Sequence, residues 1–306
     1  MTKISIIGAG FVGSTCAYAL LLQGIANEIA IVDVNKEKAH GEALDLENGI
    51  SFTKFAKVIS SDDYAITQGS NIVVITAGFN QKPGETRLQL IGRNAIIMEQ
   101  ICEKLMQYTP DSIFLIVSNP VDVLTSVAMR CLGLSSGRVF GSGTTLDTAR
   151  LRHFASEIFH VNQLNVHAYV LGEHGDNSFV AWSNASISNI PVSDFEQATP
   201  QVLTEIEEKV QNCAYEIIKK KGATHFAIGA GVAYICSAIR SDKKMVMPVS
   251  TIPLPYGITD VCLGVPCVVG KKGVERVLHL RLDDAEKKKL EHAASVLRTT
   301  LHDYKN

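Results

Sequence analysis

The sequence predicts an α/β protein in two parts, a doubly wound parallel sheet followed by an α+β half. Two observations carry this. Short apolar runs alternate with helical patterns through residues 1–141, the mark of βαβ units. From about residue 142 the alternation gives way to longer helices and short strands of antiparallel character.

The elements follow in order. Lys3–Ile7 is an apolar run read as the first strand, and 11–23 as the first helix. Glu28–Val32 is the second strand, and charges open a helix over 36–47. Further strands are expected at 57–60, 72–76 and 113–117. The stretch Ile72-Val73-Val74-Ile75 shows no polar alternation, as expected of a strand buried on both faces. A helical period over 94–108 is stopped by Pro110. In the second half, 147–159 and Pro200–Lys221 read as long helices, and 247–251 and 267–270 as strands. Glu275-Arg276-Val277-Leu278 leads toward a last strand, and 283–305 reads as a charged amphipathic helix. The chain shows no internal repeat and no low-complexity tract.

At 306 residues the chain suits two domains, 1–141 and 142–306. A formal net charge of −2 removes any global field for nucleic acid or an anionic membrane. Apolar runs fall well short of the ~20 residues that span a bilayer. The seven cysteines are scattered, odd in number and without a C-x-x-C pair, which fits buried thiols in a reducing compartment. A first strand at Lys3 leaves no room for a leader, so a soluble cytoplasmic protein without a metal site is expected.

Gly8-Ala9-Gly10-Phe11-Val12-Gly13 follows a predicted strand and opens a helix. In that context Gly8, Gly10 and Gly13 serve a tight turn, the approach of a pyrophosphate, and close helix–strand packing. The helix N-terminus, with Phe11 and Val12, offers unpaired N–H groups to phosphates. This makes the first half a Rossmann-type dinucleotide-binding unit. Asp33 lies twenty residues beyond Gly13, at the end of the second strand, where a carboxylate accepts from ribose hydroxyls and repels a 2′-phosphate. NAD is therefore the expected cofactor. The competing reading makes Asp33 only the N-cap of the next helix.

Four more segments carry chemistry: residues 80–87 (Asn-Gln-Lys-Pro-Gly-Glu-Thr-Arg), Ser118-Asn119-Pro120, Asp147-Thr148-Ala149-Arg150 and Gly172-Glu173-His174-Gly175-Asp176. Hydride transfer to a carbonyl needs a proton donor for its oxygen and a group that polarises it, and a carboxylate on the substrate needs a cation. His174 is the residue in these motifs that titrates near neutral pH. Asp147, bonded to it, would fix its tautomer and favour its charged form. Arg150 is three positions from Asp147, so one helical turn presents both to one cleft, with the guanidinium as a fork for a carboxylate. Taken singly, His174 reads as a satisfied loop or core histidine, Arg150 as half of a surface ion pair and Arg87 as a solvated loop charge.

These motifs, in this order and over essentially the whole chain, resemble the lactate/malate dehydrogenase family, most of all its bacterial members. The resemblance implies an NAD-dependent 2-hydroxy acid dehydrogenase, with 142–306 as the substrate-binding part. It makes Arg87 the carbonyl-polarising residue on a closing loop and places Asn119 at the substrate oxygen or nicotinamide. Thr224 takes a substrate contact, Ile228 an apolar contact to the nicotinamide ring, and Ala77 and Gly78 join the cofactor set. Malate-acting members carry arginine where this chain has Gln81, so pyruvate and L-lactate are expected over oxaloacetate and malate. Arg152 and His167 match the positions that bind fructose 1,6-bisphosphate at a subunit interface of a homotetramer, or are ordinary interface residues. His225 stands where an aromatic is more usual, and residues 177–182 are also unusual; neither departure touches the catalytic set. Tyr215, four residues before Lys219, is read as part of a solvated helix face, and the lysine runs 219–221 and 287–289 as surface charge. A malate enzyme and a non-catalytic NAD-binding protein remain as alternatives.

Overall fold

The computed structural model describes residues 1–79 and 87–304. The first half runs β1 (Lys3–Ile7), α1 (Phe11–Leu22), β2 (Glu28–Val32), α2 (Lys36–Asn48), β3 (Lys57–Ser61), β4 (Ile72–Ile75), α3 (Arg87–Tyr108), β5 (Ile113–Ile116), α4 (Val121–Leu132) and β6 (Val139–Gly141). The second half follows as α5 (Thr145–Phe159), β7 (Val166–His167), β8 (Val170–Gly172), β9 (Ser178–Val180), β10 (Ser186–Ile187), β11 (Ile190–Pro191), α6 (Pro200–Lys221), α7 (Phe226–Arg240), β12 (Met245–Thr251), β13 (Leu263–Gly270), β14 (Gly273–Val277) and α8 (Asp284–Asp303).

The first six strands are parallel in the order β3-β2-β1-β4-β5-β6, with the strand order reversing between β1 and β4. A crevice opens at the carboxyl ends of the strands at such a reversal. The sheet does not stop there. β12 pairs antiparallel to β6 through Ser250 and Gly141, and β13, β8 and β9 continue it, so both halves share one sheet. Strand periodicity assigns the core: Ile4, Ile6, Ile72 and Val74 pack with α1 and α7 on one face. Ile7, Val73, Ile75 and Phe114 pack with α3, α4 and α8 on the other. A third cluster joins α5, α6 and the small β7-β10-β11 sheet.

The structure corrects the sequence reading at several elements, β13 for one beginning four residues before the expected 267. α3 begins at Arg87, seven residues before the expected start, because Ile91, Ala95, Met98, Cys102 and Leu105 form one continuous buried stripe. Arg87 therefore opens a helix rather than sitting in a loop. α4 and α7 were not expected as helices. Both bury apolar residues against the rest of the fold: Val123, Leu124 and Val127 in α4, and Val232, Ile235 and Ile239 in α7. α8 starts one residue later than expected, capped by Asp283 and Glu286 in a reciprocal capping box. Among the described residues, no helix is long and apolar enough to cross a membrane.

Candidate active site

The dinucleotide crevice forms where β1 hands over to α1. Gly8 has φ +106°, and a Cβ there would come within 2.9 Å of the Ala77 nitrogen. A Cβ on Gly13 would stand 1.8 Å from the Gly8 carbonyl, so the helix can lie this close to the turn only with glycine. Beside Gly10 the space is open, and as N-cap of α1 it makes no side-chain cap, leaving the first-turn N–H groups to the crevice. The crevice, of about 400 Å³, is lined by Gly8, Gly10, Asp33, Ala77 and Gly78. This cradle fits a dinucleotide.

Asp33 fastens the cradle. Its Oδ2 accepts from the Ala9 N–H at 2.6 Å and its Oδ1 from the Asn35 N–H at 2.9 Å. The N-cap of α2 is Asn35, whose side chain accepts from the Lys38 N–H, so the reading of Asp33 as that cap is overturned. Phe11 and Val12 open α1; the Phe11 ring is exposed and stacks on His225 at 5.6 Å between centroids.

The ionisable cluster lies in a neighbouring cavity that shares Phe79 with the crevice. His174 sits in the hairpin between β8 and β9, and its Nδ1 is 2.5 Å from Asp147 Oδ2. Arg150 Nη1 donates to Asp147 Oδ1 at 2.8 Å, one turn along α5. Asp147 and Arg150 side chains are about a tenth exposed, whereas the imidazole keeps 27% exposure toward the cleft. The charge of Asp147 is the main reason the imidazolium persists up to about 9, against the opposing effect of burial. Burial alone would raise the Asp147 carboxyl; the His174 and Arg150 charges and hydrogen bonds overcome it and hold the carboxyl below the usual range. With Arg150 largely buried and the His174 ring open to the cleft, neither a surface ion pair nor a core histidine describes this cluster.

Two cavities meet at His174. One, of about 490 Å³, is lined by Phe79, Asn119, Arg150, His174 and Tyr215. The other is a slot lined by Asn119, Ser142, His174, Ile228 and Val232. Asn119 and His174 belong to both, which places them where a cofactor ring and a small substrate would face each other. Asn119 joins β5 to α4, and its carbonyl accepts from Asn94 Nδ2 at 3.0 Å.

Other expected site residues fall outside this meeting point. Gln81 lies outside the described residues, and so does the side chain of Arg87. Thr224 is half-buried in the turn between α6 and α7 and lines neither cavity. Arg152, on α5, lays its guanidinium over the Tyr169 ring at 5.7 Å, and His167 on β7 is exposed. Sequence reasoning missed Asn94, whose side chain clamps the Phe79 and Asn119 main chains, and Asp122, described below. It also set Tyr215 aside as solvated helix surface. The Tyr215 hydroxyl donates to Asp176 Oδ1 at 3.0 Å on the cavity wall, because one turn of α6 passes over the His174 hairpin.

A dinucleotide cradle beside an acid–base pair defines a nicotinamide-dependent oxidoreductase. The chain belongs to the lactate/malate dehydrogenase family: the family's NAD-binding domain matches residues 2–141 and its α/β C-terminal domain residues 144–306. NAD is its cofactor. An L-lactate dehydrogenase of Clostridium botulinum is 47% identical over 98% of this chain and 96% of its own length. L-lactate dehydrogenase 1 of Clostridium acetobutylicum is 45% identical over 98% of this chain and 97% of its own. Among solved structures, the minor L-lactate dehydrogenase of Enterococcus mundtii superposes with a TM-score of 0.96 at 41% identity, covering 99% of this chain and 98% of that one. A lactate dehydrogenase from a Medee basin deep-sea metagenome library gives 0.96 at 40%, over 100% and 99%.

Proposed function

We propose that the chain acts as an NAD-dependent L-lactate dehydrogenase, interconverting pyruvate and L-lactate. The observation that carries the reading is the Asp147–His174–Arg150 cluster, set where the two cavities meet. NADH, when bound, supplies the hydride that reaches the keto carbon. Asp147 holds Nδ1 of His174, which turns Nε2 to the cleft to give its proton to the carbonyl oxygen; the reverse direction returns that proton to a neutral imidazole. Arg150 engages Asp147 through Nη1 and keeps its other N–H groups for the substrate carboxylate. Asn119 orients the substrate oxygen, and Ile228 and Val232 give the slot an apolar wall that excludes water. Arg87 polarises the carbonyl and Thr224 completes the substrate contacts, as the family resemblance implies. Gly8, Gly10, Phe11, Val12, Gly13, Asp33, Ala77 and Gly78 form the cofactor set.

Gln81 selects the acid. A neutral amide there leaves the second carboxylate of oxaloacetate unpaired in a closed site, at a cost of roughly several kcal/mol, whereas the methyl group of pyruvate needs no partner. NADH oxidation measured with each keto acid tests this: pyruvate is turned over in strong preference, and a preference for oxaloacetate overturns the assignment.

The same reading divides the chain at residue 141 into cofactor and substrate domains and places it in the cytoplasm. There, reduction of pyruvate would return NAD to glycolysis under fermentation. It makes the enzyme a homotetramer in which Arg152 and His167 receive fructose 1,6-bisphosphate. Supporting this, Arg152 Nε is buried with no hydrogen-bond partner among the described residues, and His167 is exposed.

A further inference from the structure

Asp122 lies in the first turn of α4, three residues after Asn119, and is only 2% exposed. Its Oδ2 accepts from the backbone N–H of His174 at 2.7 Å and its Oδ1 from the Ser250 hydroxyl at 2.5 Å. One carboxylate thus joins α4, the β8–β9 hairpin and β12, three segments remote in sequence. The hydrogen-bonded ends of His174 are divided between two acids: the imidazole goes to Asp147 and the main chain to Asp122. A buried carboxylate is costly unless hydrogen-bonded and matched by positive charge. Here Asp122 and Asp147 both face a protonated His174, and Asp147 also pairs with Arg150.

We propose that Asp122 is a positioning residue for the proton donor, holding the His174 main chain at the cavity and balancing the charge of its protonated ring. The proposal rests on the reading of His174 as that donor. The titratable groups facing Asp122 are His174 and Glu173 from the hairpin and Cys262 ahead of β13, with the neutral Ser250 on β12. Burial pushes the Asp122 carboxyl up to about 6, moderated by the bonds from Ser250 and the His174 N–H. Between about 6 and about 9 Asp122 and His174 are therefore both charged. Below that window Asp122 loses its charge, and above it His174 does.

Asp122→Asn keeps a carbonyl oxygen for the His174 N–H and removes the charge. Pyruvate reduction should fall about tenfold at neutral pH while NADH affinity changes by less than about twofold. In its pH profile the acid limb near 6 disappears, and the alkaline limb moves down. Ser250→Ala leaves the His174 bond intact and removes one bond that favours the carboxylate, so the acid limb should move up. Unmoved limbs in either variant overturn the proposal, and Ser250→Ala decides the matter should Asp122→Asn fail to fold. His174→Asn separates the two readings. If it retains turnover, the donor assignment fails; if it is inactive while the limbs stay fixed in the other variants, only the role of Asp122 fails.

Discussion

The dinucleotide cradle and the acid–base cluster line neighbouring cavities but are built from different materials. The cradle is main chain: two glycine positions where a Cβ has no room, exposed helix N–H groups, and a single carboxylate that fastens the loop. The cluster is side chain: Asp122, Asp147, Arg150 and His174, drawn from α4, α5 and the β8–β9 hairpin and held by charge. Shape, then, should be the vulnerability of the first and protonation that of the second. Substitutions that change only charge should affect chemistry and leave cofactor binding in place, and the converse should hold in the cradle.

The sharpest break of that contrast is His174→Asn. It removes the proton donor and disturbs nothing in the cradle, so turnover with pyruvate should drop by about 10²–10⁴-fold. NADH binding, followed by fluorescence titration, should stay within about twofold of the unaltered protein. A parallel loss of NADH affinity would show that the two regions are not separable.

A milder break uses pH. The imidazolium of His174 persists to about 9 because Asp147 faces it, and reduction consumes that proton. Reduction of pyruvate should therefore hold up at neutral pH and decline as pH rises through about 9. Oxidation of lactate needs the neutral ring and should rise over the same range. Asp147→Asn removes the chief cause of the shift, so the midpoint should fall toward the ordinary histidine value of 6.5. A midpoint that stays in place would assign the shift to some other group. Stability follows the same signs. A raised histidine contributes fully below 6.5 and loses its contribution as pH rises through about 9, while the lowered Asp147 contributes above 3.8 and loses it on acidification.

The same difference in material decided what was legible in the sequence. The glycines and the acid of the cradle lie within the first 33 residues and follow a fixed order of strand, glycines, helix and acid, so motif and position coincide. Asp147 and Arg150 could be paired because helical spacing is a local rule, and His174 because its segment is distinctive. Asp122 left no such mark: an acid in the first turn of a helix is ordinary dipole complementation, and its partners lie 52 and 128 residues away. Helix α7, which was not expected, packs against the shared sheet and carries Ile228 to the slot.

The smallest effect belongs to the one charge in the cradle. Asp33 does two things at once: it fastens the Ala9 and Asn35 N–H groups, and it presents a negative charge where the adenosine ribose is expected. Asp33→Ser removes both the reach and the charge. Asp33→Asn keeps an oxygen for the Ala9 N–H but gives up the bond from the Asn35 N–H, so it removes the charge and one of the two loop bonds. In Asp33→Asn the preference for NAD over NADP should narrow by about tenfold, equivalent to about 1.4 kcal/mol, chiefly because a 2′-phosphate is no longer repelled. Turnover of bound cofactor should be nearly unchanged. An unaltered NAD/NADP ratio, measured as the ratio of kcat/KM values, would make Asp33 a loop fastener alone, and the cradle would then be selective by shape without any contribution from charge.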